Sequence, residues 1–210
     1  MIALRRLHRT TAALIALFAA LHIVNHLVAL AGVPMHLAFM KAARLVYRQP
    51  LVEAVLLIAV SAQVATGLSL VVAGWKQRRG LVPWIQAASG LYMIFFLGVH
   101  VSAVVYGRIA LHLDTNFYYA AAGFHVPPFE LFFAPYYFLA VFALFTHVGC
   151  ALYWHVAEGR RALAFAIPVA VGGVISLLIG LALAGVLSTV NVPDQYTATY
   201  GKRSAAGIHR

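Results

Sequence analysis

The sequence predicts an all-α membrane protein built as a bundle of five transmembrane helices. Of its 210 residues, 63% are hydrophobic and only 10% are charged, and the mean hydropathy is +0.90. So few polar side chains cannot cover the surface of a water-soluble globule of this length. Five apolar runs each exceed the roughly 20 helical residues that cross a hydrocarbon core of about 30 Å. These runs are residues 11–32, 51–74, 83–107, 131–155 and 163–188.

The first span resembles a secretory signal, because three arginines precede an apolar run. Its length and its polar residues His22, Asn25 and His26 favour a span that is retained. We therefore expect residues 1–190 to form one transmembrane domain and residues 191–210 to form a C-terminal tail. The loop at 109–130 is aromatic and nearly uncharged, so we expect it to fold over the end of the bundle as an interfacial or re-entrant segment. The alternatives for this loop are that it caps a cofactor or docks another subunit.

The charge balance is strongly basic, with 15 Lys and Arg against 5 Asp and Glu. In a soluble protein this excess would suggest a nucleic-acid partner, but here the bases lie in short runs between apolar spans. We therefore expect no nucleic acid and assign the bases to anionic headgroups and to orientation. The N-terminal side carries eight of them and the opposite side seven, which favours a cytoplasmic N-terminus and a periplasmic C-terminus in a bacterial inner membrane. The eight are Arg5, Arg6, Arg9, Lys76, Arg78, Arg79, Arg160 and Arg161.

A single cysteine, Cys150, lies inside the fourth span. One thiol excludes an intramolecular disulfide, a thiolate zinc site and a covalently attached haem. Any metal or redox chemistry of the spans must therefore come from other side chains.

Four of the ten histidines lie at hydrocarbon depth: His22, His26, His100 and His147. An ionisable side chain at this depth costs at least a few kcal/mol, so each one is a candidate site residue. A single buried histidine is commonly a packing residue, but four together favour a function. His22 and His26 are four residues apart and therefore share one face of a helix.

An internal repeat relates the first and third spans. A constant offset of 78 residues places Thr11 on Ser89 and His22 on His100. A hydroxyl residue thus precedes a histidine by eleven positions in both spans, which suggests a duplicated helical hairpin. Chance similarity between apolar segments is the alternative.

Neutral imidazoles without carboxylates or thiolates favour b-type haem. A zinc site normally includes a carboxylate or a cysteine, and a proton relay alternates histidine with acids. Haem needs only two facing histidines, apolar walls and room for the ring. We therefore predict one or two non-covalent haems held by histidines among His22, His26, His100 and His147, and leave their pairing open. A histidine-lined transporter and a cofactor-free assembly subunit are the competing interpretations.

Short motifs around these residues resemble those of a known family. His8-Arg9-Thr10-Thr11 and the third-span segment Gln86-Ala87-Ala88-Ser89-Gly90 are similar to a His-Arg-x-Ser-Gly motif. The segment from His147 to His155 partly matches a ligand histidine followed by Gly-x-Arg-His, but it lacks the arginine. In these segments the chain resembles the membrane-anchor cytochrome b subunits of succinate dehydrogenase and fumarate reductase, in their fused five-helix form. It departs from the di-haem members in the second span, which has Gln63 but no histidine.

The resemblance implies electron transfer through b haem between a quinone and a redox partner. It implies flavoprotein and iron-sulfur partner subunits, or another redox protein, and leaves the direction of electron flow open. It also implies a quinone pocket at the cytoplasmic side, for which headgroup anchoring and helix capping are the alternative roles of the same residues. The quinone candidates are Arg9, Thr11, Trp84, Gln86 and Ser89. By this reading the chain is a subunit of an oxidoreductase complex, not a complete enzyme.

Overall fold

The computed structural model describes residues 2–201, and this part of the chain contains eight α-helices and no strands. Five helices are long and apolar enough to cross a membrane, which confirms the predicted number of spans. The spanning helices are α1 (Ile2–Val28), α3 (Pro50–Ala73), α4 (Leu81–Ile109), α6 (Glu130–Tyr153) and α7 (Arg161–Leu183). The end of the predicted tail, with Lys202, Arg203 and Arg210, lies outside the described residues.

The first helix begins nine residues before the predicted span at 11–32. No glycine or proline interrupts residues 2–28, and the Thr10 hydroxyl donates to the carbonyl of Arg6 one turn earlier. The polar residues before Thr11 are therefore helical. As a result His8 is held on the helix against α3 instead of lying in an N-terminal extension.

The outer connection between the first two spans is also helical, which the sequence did not predict. Gly32, with φ of 109°, and Pro34 start α2 (Val33–Tyr47) immediately after α1 turns over. This helix is too short to cross a membrane, and it buries Val33, His36 and Met40 along one side. It therefore covers the end of the bundle instead of spanning it.

The loop at 109–130 folds back over the same end of the bundle, as expected. It contains the short helix α5 (Phe117–Ala121), whose first turn is capped by the Asn116 side chain accepting from the Tyr118 amide at 2.9 Å. Tyr118 stacks on Tyr196 of the short C-terminal helix α8 (Asp194–Thr197). We call this end, covered by α2 and α5, the capped end, and the opposite end, where α1 starts, the N-terminal end.

The tightest apolar packing lies at the capped end and between α6 and α7. Gly172 of α7 admits Phe145, since a Cβ at this glycine would lie 2.3 Å from the Phe145 Cβ. One buried apolar cluster joins α1, α2, α5 and α7, and comprises Ala29, Val33, Phe117, Ala121, Ile179, Ala182 and Leu183. By contrast, α1, α3, α4 and α6 surround an open interior.

Candidate functional site

The interior of the bundle is a cavity of about 1430 Å³ that runs from the N-terminal end to α2. Protein interiors normally contain few voids larger than a water molecule, and ligand pockets range over about 300–1,000 Å³. A space of this size is therefore a candidate binding cavity. Its walls are mainly apolar, and its polar lining is concentrated at separate levels along the bundle.

One level, the paired-histidine level, lies toward the capped end. The ring centroids of His22 on α1 and His100 on α4 are 6.0 Å apart, with an angle of 66° between the ring planes. His26 lies one turn above His22, with ring centroids 4.7 Å apart, and His36 of α2 lies 5.4 Å from His26. The structure thus brings together three of the four predicted histidines and adds His36.

His22 and His100 each stack on a phenylalanine one turn earlier in the same helix. The His22 ring stacks on Phe18 at 5.7 Å, and the His100 ring stacks on Phe96 at 4.9 Å, with interplanar angles of 17° and 16°. Phe18 and Phe96 are also related by the offset of 78 residues, so they extend the repeat predicted from Thr11, Ser89 and the two histidines. This third match was present in the sequence and would have strengthened the repeat.

A buried polar group lies behind the pair. The Asn25 side-chain amide donates to Nε2 of His36 at 3.2 Å, and the two residues are 6% and 1% exposed. Burial lowers the pKa of His36 to about 4, with further lowering by nearby His22 and Arg44, so this imidazole is neutral at neutral pH. Asn25 Oδ1, His26 Nδ1 and His36 Nδ1 are buried without a hydrogen-bond partner. These orphan atoms mark a polar side of the cavity next to the paired histidines.

His147 lies apart from the other three predicted ligands. Its Nδ1 donates to the backbone carbonyl of Gln86 on α4 at 3.1 Å and is 3.2 Å from the Ser89 hydroxyl. A donating Nδ1 leaves Nε2 as the acceptor nitrogen of the neutral ring. The His147 ring packs on Gly90, where an added Cβ would lie 3.3 Å from the ring carbon Cε1.

A side-chain amide joins α1 to α3, whereas the His147 imidazole joins α6 to α4. The Thr11 hydroxyl donates to Oε1 of Gln63 at 2.5 Å, and the Gln63 amide donates to Nε2 of His8 at 3.2 Å. His8 Nδ1 donates to the Thr66 hydroxyl at 3.0 Å, and the His8 ring packs on Gly67. Thr11, which the offset of 78 relates to Ser89, thus contacts the Gln63 amide, whereas Ser89 contacts the His147 imidazole. We call His8, Gln63 and His147 the amide level.

The five quinone candidates do not form one group. Arg9 and Gln86 line the cavity near the N-terminal end. Thr11 and Ser89 are engaged in the contacts between helices described above. Trp84 packs edge-on against Trp75 at 5.0 Å, with the Arg78 guanidinium 5.7 Å from its ring centroid. The structure therefore gives Trp84 a packing partner outside the cavity lining and leaves Arg9 and Gln86 facing the interior.

The paired-histidine level fits a haem iron. An iron midway between two imidazoles, with metal to nitrogen bonds of about 2.0 Å, holds their ring centroids roughly 6 Å apart. The 6.0 Å separation of His22 and His100 meets this requirement, whereas the 4.7 Å separation of His22 and His26 is too short. Within residues 2–201, no hydrogen bond occupies a ring nitrogen of His22 or His100. The same residues contain no group of three His, Cys, Asp or Glu side chains that could hold a metal ion by themselves.

Fold and cavity together define a multi-pass α-helical membrane protein with a histidine-lined interior. Comparisons of the chain with protein-family models, with curated proteins and with solved structures found no match.

Proposed function

We propose that this protein is a membrane cytochrome b that holds one b haem between His22 and His100. The observation that carries the proposal is the 6.0 Å separation of two imidazoles from different helices inside a cavity large enough for the macrocycle. When bound, haem supplies a one-electron carrier in the middle of the bundle. The protein's part is to present two neutral imidazoles, hold their planes on Phe18 and Phe96, and surround the ring with apolar side chains.

One haem is favoured over two because the amide level does not offer a second facing pair. His147 keeps Nε2 free, but the residue that Thr11 contacts in the first hairpin is an amide, Gln63, and not an imidazole. His8, the other imidazole at this level, already accepts the Gln63 amide at Nε2.

The electron donor or acceptor that we propose is a quinone, bound at the N-terminal end of the cavity. Arg9 and Gln86 line the cavity at this end and could hydrogen-bond the oxygens of a quinone. The basic residues at the same end could attract an acidic redox partner, such as an iron-sulfur subunit of a succinate dehydrogenase or fumarate reductase complex.

The charge distribution supports a cytoplasmic N-terminal end in a bacterial inner membrane. At the capped end, three of the four Lys and Arg among residues 2–201 are engaged with acids and line the cavity. They are Arg44, Arg48 and Arg108, which therefore do not act as free loop charges. Basic loop residues consequently dominate at the N-terminal end, as the positive-inside rule requires of the cytoplasmic side.

The test is an absorption and paramagnetic resonance spectrum of the protein purified after expression with ample haem. We expect one b haem per chain, with the low-spin signals that two imidazole ligands produce, and reduction of this haem by a soluble quinol analogue. A folded chain that stays colourless would contradict the cytochrome proposal and favour a histidine-lined transporter or an assembly subunit. Co-purification of flavoprotein and iron-sulfur chains from the native membrane would support the proposed partners, and partners without redox centres would contradict them.

A further inference from the structure

Three arginines from two helices line the cavity at the capped end. His36, Met40 and Arg44 of α2 and Arg48, which caps the end of this helix, follow one another at intervals of four residues and all line the cavity. Arg108 is eight residues beyond His100 on α4, which is about 12 Å along the helix toward the capped end. Arg44 and Arg48 lie at the same end, since both contact Thr115 just before α5.

The acids in this region do not satisfy all three guanidinium groups. Arg44 donates to Asp114 at 2.8 Å and to the Thr115 carbonyl at 3.1 Å, and Arg108 pairs with Glu53. Arg48 donates to the Thr115 hydroxyl at 3.0 Å and is 3.9 Å from Asp114. Burial and the adjacent Arg44 and Arg108 lower the pKa of Arg48, so positive charge is crowded here. One formal positive charge is in excess, and Nε of Arg44 is buried without a partner.

Positive charge at this place needs an anionic partner. Part-buried arginines in a membrane protein cost free energy unless they pair with an acid. The positive-inside rule also predicts few arginines at the capped end, which is opposite the proposed cytoplasmic side. The arginine fork binds carboxylates through two parallel hydrogen bonds, which suits a ligand with carboxylate groups.

Haem is such a ligand, because it carries two propionate carboxylates on one edge of an otherwise apolar ring. From the paired-histidine level, the amide level is about 21 Å away along α1, at His8, and offers a neutral amide, hydroxyl groups and imidazoles. Arg108 is about 12 Å from His100 along α4 and, like Arg44 and Arg48, is cationic. Charge and distance thus both favour the capped end for the carboxylates.

We propose that Arg44, Arg48 and Arg108 anchor the two propionate carboxylates of the haem held by His22 and His100. This inference rests on the proposed function, since it requires haem at that pair. With the haem bound, the three arginines, Glu53, Asp114, two propionates and the ferric porphyrin core are together formally neutral. The anchor also sets the orientation of the ring, with its carboxylate edge toward the capped end.

The test compares uptake of haem and of its dimethyl ester, which has no free carboxylates. We expect the purified apoprotein in lipid nanodiscs to bind haem on the order of tenfold more tightly than the ester, the effect of one charged hydrogen-bonded pair. In the triple variant Arg44→Gln, Arg48→Gln and Arg108→Gln this preference should disappear, and the haem midpoint potential should fall because positive charge near the iron is lost. Arg48→Lys, which keeps the charge, should retain most of the preference. Lys41→Gln, an exposed position on α2 outside the cavity lining, is the matched control and should leave it unchanged.

Each other outcome overturns a defined part of the inference. A wild-type chain that binds both forms equally contradicts the anchor but leaves the cytochrome proposal standing. A folded wild-type chain that binds neither form contradicts both. If the variants respond to the phosphatidylglycerol content of the nanodisc but keep the preference for haem over its ester, the arginines bind lipid phosphate and the anchor is wrong. Should the triple variant fail to fold, the three single Arg→Gln variants provide the same comparison.

Discussion

The two polar levels of the cavity both contain histidines from different helices, but they differ in the side chains that lie next to those histidines. At the paired-histidine level, two imidazoles from the two halves of the repeat face each other at 6.0 Å, each stacked on a phenylalanine. At the amide level, the hydroxyl residues Thr11 and Ser89 contact different groups, the Gln63 amide in the first hairpin and the His147 imidazole in the second. A histidine in a membrane span therefore becomes a candidate ligand through its counterpart across the cavity and not through its depth alone.

The largest effect expected is loss of haem when either paired histidine is removed. For His22→Ala and His100→Ala, haem content should fall roughly tenfold or more, because one of the two imidazoles that would hold the haem is lost. Haem per chain can be measured from the pyridine complex of the extracted cofactor. His155→Ala is the control, since this exposed ring bonds only the carbonyl of Ala151 and should not affect haem. Full low-spin haem in His100→Ala would show that another pair holds the iron.

The difference between the levels can also be removed by substitution. Gln63→His would add a third imidazole at the level that holds His8 and His147, and we expect the variant to bind a second b haem. Pyridine extraction and redox titration should then show two haems per chain with distinct potentials. Gln63→Leu disrupts the same contact with His8 without adding a ligand, and it should keep one haem. A folded Gln63→His protein with one haem would show that no second pair of ligands forms at this level.

Removal of His147 should affect stability more than cofactor content. The ring joins α6 to α4 through the Gln86 carbonyl and Ser89, so His147→Ala should lower the free energy of unfolding by about 1–2 kcal/mol. Steric trapping in lipid or detergent measures this change. His147→Asn keeps a side-chain donor and should recover part of the loss. Haem loss comparable to that of His100→Ala would instead indicate that His147 helps to hold the haem.

The smallest effects concern the glycines under the amide-level rings. Ala at Gly67 or Gly90 would place a methyl group 3.3 Å from Cε1 of His8 or His147, and we expect destabilisation of about 1 kcal/mol or less because the rings can shift. Gly98→Ala is the matched control, since nothing lies within 4 Å of a Cβ there. Equal free energies of unfolding for all three variants would show that the close contacts between the rings and the glycines do not affect stability.

The number and course of the spans could be predicted from the sequence because they depend on local properties. Hydrophobic length alone decides whether a segment can cross a bilayer, and five runs met that condition. The same length criterion missed α2, because its 15 residues are too few to cross a bilayer. The four-residue spacing of His36, Met40, Arg44 and Arg48 was a signal for this helix in the sequence. The exact start of α1 was also missed, since arginines and a histidine lower hydropathy without breaking a helix.

What the sequence by itself determined is a five-span helical protein with histidines at membrane depth and a repeat linking His22 to His100. Depth estimates along separate helices could not decide which histidines face each other, because an error of a few residues in a span boundary shifts a side chain by several ångströms and turns it to another face. Only the tertiary structure paired His22 with His100, bonded His147 to the Gln86 carbonyl, and brought Arg44, Arg48 and Arg108 to one end of the cavity. These relations depend on how helices far apart in the chain pack together, which no local pattern of residues specifies.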